Sequence, residues 1–113
     1  MSAVYVSNIV INVGADFLQT FNLDNSSTQS PLILTGYGVS SVLRKYNNSS
    51  TSYGFNVSIA NSTQGIIKIG MAASTTSNIP PGRYIYDIVI SDVDNFKTRV
   101  VEGNALVREG ATH

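Results

Sequence analysis

The chain has 113 residues, seven basic and seven acidic side chains, one His and no Cys. A chain of this length builds one core, burying roughly two-thirds of its unfolded surface. Balanced charge removes the electrostatic case for nucleic acid or an anionic membrane as a partner. The lack of Cys excludes disulfides and thiolate metal sites, and no apolar run approaches the ~20 residues of a membrane-spanning helix.

Only 12% of the chain is charged. Ser, Thr, Asn and Gly stand where solubility alone would favour charge, a composition that suits a β-protein partly covered in an assembly. The start, Met1 to Val6, lacks the basic segment and long apolar stretch of a signal peptide, so synthesis in a cytoplasm is expected.

Short β-rich runs alternate with turn residues, and no stretch has helical periodicity. The first run is Val4–Val13, with an irregularity expected near Ser7-Asn8 and a stop at Gly14. The second, Asp16–Leu23, turns Phe17 and Phe21 inward. After the polar turn Asn25–Ser30 and a return segment Pro31–Leu34 comes Tyr37–Tyr46. Beyond the loop tip Asn47–Ser52, Tyr53–Ala60 sets Tyr53, Phe55, Val57 and Ile59 on one face. Ile66–Ala73 does the same with Ile67, Ile69 and Met71. A loop, Ser74–Gly82, closes on Pro80-Pro81-Gly82; then Arg83–Ser91 and Phe96–Val107 flank a tight hairpin at Asp92–Asn95. A bulge is expected at Gly103. Seven such strands without a repeat predict an all-β fold, an immunoglobulin-like antiparallel sandwich over residues 1–113, with 108–113 as a flexible tail.

Gly82-Arg83-Tyr84-Ile85-Tyr86 carries the strongest local signal. In such sandwiches a Tyr near the start of the sixth strand hydrogen-bonds back to the preceding corner, two residues before the second Cys. Tyr84 fits that structural role, and Tyr86 takes the Cys position as an aromatic core filler; a plain turn before a β-rich strand is the alternative. With Tyr84, Tyr86, Ile88 and Ile90 inward, Ile85, Asp87 and Val89 face out. On the neighbouring strand Ser41 and Leu43 face in, leaving Val42 and Arg44 out. Val42, Ile85 and Val89 around an Arg44–Asp87 pair make a candidate docking face; a loop or tail lying over the sheet is the competing reading.

The residues offer little chemistry. The one His is the terminal His113, so no nucleophile–His constellation can be assembled, and no catalytic residue, cofactor or metal site is assigned. Asp92-Val93-Asp94-Asn95 could hold Ca2+ weakly through carboxylate and carbonyl oxygens, but it lacks the length and Gly of an EF-hand loop and reads rather as a hairpin turn. Tyr37, Tyr46 and Tyr53 would serve a sugar-binding platform only if exposed. Asp16 with Glu102 would serve hydrolysis only if brought into one cleft. Asn25, Asn47, Asn48, Asn56 and Asn61 each begin an Asn-x-Ser/Thr triplet, expected by chance in a chain rich in Asn and Ser.

Five segments occur in order: Leu34-Thr35-Gly36-Tyr37, Leu43-Arg44-Lys45, Ser62-Thr63-Gln64-Gly65-Ile66-Ile67, Gly82-Arg83-Tyr84-Ile85-Tyr86-Asp87-Ile88 and Arg99-Val100-Val101-Glu102-Gly103. Over Leu34 to Val107 this resembles the small Ig-like structural modules of tailed-bacteriophage virions, of the marine T4-like cyanophage type. The resemblance implies a non-enzymatic particle component, in the capsid decoration, neck, baseplate or fibre attachment. It would work by docking on other virion proteins or on copies of itself. A carbohydrate-binding or adhesion module acting on a host-surface glycan is the alternative from another class.

Overall fold

The computed structural model describes residues 5–25, 30–31, 33–45 and 51–109. Eleven strands and one short helix follow in order: β1 (Tyr5–Val6), β2 (Ile9–Asn12), β3 (Phe17–Asn22), β4 (Asp24–Asn25), β5 (Ser30–Pro31), β6 (Gly38–Arg44), β7 (Ser52–Gly54), β8 (Asn56–Asn61), β9 (Ile66–Met71), α1 (Ala73–Thr76), β10 (Gly82–Ser91) and β11 (Lys97–Arg108). The larger sheet runs β1-β11-β10-β6-β7, with β2 also on β11; the smaller runs β3-β9-β8. Among the described residues, β4 and β5 pair with each other alone. Both β1 and β2 lie parallel to β11, and the other ladders are antiparallel. The fold is an all-β, Ig-like sandwich.

Each expected strand is present, and two are divided. The first splits at Ser7-Asn8, as the sequence suggests. The run from Tyr53 splits at Phe55, where the chain leaves β6 and joins β9. Phe55 N still donates to Ser41 O at 3.0 Å, so the crossing residue is tied to the sheet it leaves. Its buried ring meets Phe17 at 5.9 Å and Tyr86 at 6.2 Å, joining the two sheets through aromatic contacts.

Alternation places the core. Tyr84, Tyr86, Ile88 and Ile90 of β10, Ile67, Ile69 and Met71 of β9, and Ile9 and Ile11 of β2 are buried in one hydrophobic cluster. Tyr84 Oη donates to Pro80 O at 2.6 Å, the fold-back contact expected of it. Tyr86 Oη donates to Ser7 O at 2.5 Å. Burial, with Tyr53 adding a smaller effect, raises the Tyr84 pKa. Burial also raises that of Tyr86, against the opposing bond to Ser7.

Three expectations need correction. Gly103 is not bulged: it stands in register with Tyr86, and the irregularity falls between Ile88 and Val89, opposite Val100. A Cβ at Gly103 would come 2.0 Å from Ser7 O, so this glycine admits the close approach of another backbone. The loop from Ser74 also contains structure. In the one-turn α1, the wholly buried Thr76 accepts from Gly14 N and donates to Ala15 O, fastening the β2–β3 turn. Arg108, assigned to the tail, is in strand register with Asn12. Tyr46, residues 47–50, residues 1–4 and His113 lie outside the described residues.

Candidate docking face

The outer side of the larger sheet follows from strand register. Cross-strand neighbours set three rows: Arg44–Ile85–Asn104, Val42–Asp87–Glu102–Val6, and Ser40–Val89–Arg99. The inward set on β10 leaves Ile85, Asp87 and Val89 half-buried on the other side, with Val42 and Arg44 beside them. A groove of about 920 Å³ lies along this side. Its lining includes Val42, Arg44, Ile85 and Asp87, four of the five residues singled out from sequence. Val89 sits one row further along, opposite Ser40 and Arg99, outside the lining.

The charges differ in detail from expectation. Arg99 Nε lies 3.2 Å from Asp87 Oδ2, and Arg99 Nη1 lies 3.4 Å from Glu102 Oε1. Arg99 therefore bridges two acids from the third row. It reaches the outer face because of the bulge. Val100 and Val101 are both buried, so strict alternation fails there and Arg99 is turned outward. The adjacent apolar pair Val100-Val101 was the signal in the sequence. Such partly exposed pairs contribute little stability, about 0–1 kcal/mol each, but they give the groove a fixed charge pattern.

The N-terminal strand forms the groove's far wall. Val6 is 74% exposed beside it. Asn8 Oδ1 accepts from Asn104 N at 3.0 Å, and Ser7 N donates to Glu102 O at 2.9 Å. With the Tyr86–Ser7 bond, these contacts hold the break between β1 and β2 against Gly103. Neither β1 nor the break was legible as part of the face, because that depends on β1 pairing with β11.

The other candidate residues are dispersed. Asp16 accepts from Ala73 N at 2.7 Å and lies beside the smaller sheet, whereas Glu102 lies on the outer side of the larger one. The two do not share a cleft. Tyr53 packs edge-on against Tyr84, and Tyr37 is partly buried against the core. Both rings are thus partly buried, and Tyr46, the third member of that set, lies outside the described residues. Asp92 Oδ1 accepts from Asp94 N and Phe96 N, both at 2.9 Å, which is the work of a turn residue. Asn95 at the hairpin has φ 62°, a conformation Asn tolerates.

No family model and no curated protein matches the chain. Among solved structures it is similar to an internalin-like protein of Listeria monocytogenes, with TM-score 0.47 and 13% identity over 95% of this chain and 28% of that one. It is also similar to a family 123 glycoside hydrolase from Clostridium perfringens, with TM-score 0.41 and 15% identity over 94% of this chain and 23% of that one. The chain thus spans under a third of either protein, and likeness at this level carries neither activity nor partner.

Proposed function

We propose that the chain is a non-enzymatic docking module that binds a partner protein through the outer face of its larger sheet. The observation that carries this reading is the groove itself. Aliphatic side chains from three strands, Val6, Val42 and Ile85, stand beside Arg44, Asp87, Arg99 and Glu102 in one concave surface. The aliphatic side chains would supply contact area, and the held charges specificity and orientation, to a docked partner.

The setting we propose is a tailed-phage particle, on the resemblance of the segments between Leu34 and Val107. A Cys-free sandwich folds in a reducing cytoplasm, and many copies on one particle gain avidity from modest single contacts. The test is a photo-crosslinking residue placed at Ile85, and separately at the exposed Ser58 of the other sheet. In density-purified particles the Ile85 position is expected to capture a neighbouring particle protein and the Ser58 position is not. Absence of the chain from such particles would remove the setting. Equal capture from both positions would remove the face.

A further inference from the structure

Among the described residues, the path of the N-terminal strand leaves a second surface without a partner. Both β1 and β2 pair with β11, so β3 has β9 on one side and none of the described strands on the other. Among the described residues, no group outside β9 bonds to the main chain of Phe17–Asn22. Every second residue of β3 therefore presents an N–H and a C=O along the edge.

The other edges of the two main sheets are interrupted. β7 has three residues, β8 carries a register shift between Ile59 and Asn61, and β1 and β2 are separated by the break at Ser7-Asn8. β3 keeps unbroken register with β9 from Phe17 to Asn22. Its sequence, FLQTFN, has no charge and no Pro, so it lacks the features that keep edge strands from pairing. Asp16, just before it, turns its carboxylate to Ala73 N. On the outer side Leu18 is 67% exposed.

We propose that β3 is a self-association edge, pairing antiparallel with β3 of a second copy about a two-fold axis and joining the two smaller sheets. The occupant follows from chemistry: a neutral, regular edge is complementary to itself in the antiparallel sense, and nothing on it repels its own copy. Side-chain alternation limits the register. Opposed residues must face the same side, so the axis passes beside a residue, Gln19 or Thr20, and not between two. Leu18 then stands opposite Thr20 or Asn22 of the second copy. This edge is separate from the groove and does not depend on its role.

Sedimentation equilibrium of wild type, Leu18→Lys/Thr20→Lys and Ile85→Asp tests the inference. Wild type and Ile85→Asp should have twice the 12.1 kDa chain mass, and the β3 variant should be a folded monomer. A wild type that stays monomeric at its highest soluble concentration overturns the proposal. So does a dimer that survives the β3 substitutions or is lost with Ile85→Asp. If circular dichroism finds the β3 variant unfolded, amide exchange of wild type decides. Alternate β3 amides protected at high concentration and released on dilution support the edge, and concentration-independent exchange overturns it.

Discussion

Two tyrosine hydroxyls and one missing methyl group set the local order of this sandwich. Tyr84→Phe leaves Pro80 O without its donor, and a loss of about 1–3 kcal/mol is expected by denaturant unfolding. Tyr86→Phe should cost a similar amount and also loosen Ser7. Burial raises both pKa values, and this gives a pH signature. Below about pH 10 both states keep the phenolic protons and stability has no slope from them. Above it the unfolded chain releases protons that the folded chain retains, so stability falls as pH rises. The double Phe variant should lose that alkaline slope, read from unfolding midpoints across the range. Gly103→Ala forces Cβ against Ser7 O, and the backbone must give way. We expect about 1–3 kcal/mol of destabilisation, with faster amide exchange at Ser7.

The strands were legible because alternation is written in side chains. Tyr84, Tyr86, Ile88 and Ile90 read inward from sequence and are buried in the fold. What sequence leaves open is where alternation slips. Gly103 looked like the bulge because glycine often marks one, yet the slip lies at Val100, and that choice sends Arg99 to the groove. The helix α1 was illegible for a related reason: four residues are too few to show a period. Its importance rests on Thr76, whose hydroxyl binds the β2–β3 turn across 61 and 62 positions of chain. Thr76→Val keeps the shape and removes those bonds, leaving Gly14 N and Ala15 O to find other partners. A loss of about 1–3 kcal/mol is expected, with exchange at Gly14 rising more than at Ile88 in the core.

Across the fold, the path of the N-terminal strand shapes both the groove and the β3 edge. By joining β11 it walls the groove with Val6 and Asn8 and leaves β3 with no second partner among the described strands. Four of the five residues expected in the docking face line one groove because their strands are neighbours with even register. Val6, Arg99 and Glu102 escaped sequence reasoning because their places depend on pairing between distant segments. The groove is proposed to bind a partner protein. The most direct test is retention of purified protein on depleted particles that lack it, comparing wild type with Val42→Asp and Ile85→Asp. Both substitutions lie on a half-buried outer face, so folding should survive, as read by circular dichroism. A groove that binds the partner gives folded variants with at least tenfold weaker retention, a change of about 1.4 kcal/mol. Folded variants that bind as wild type does would contradict that role.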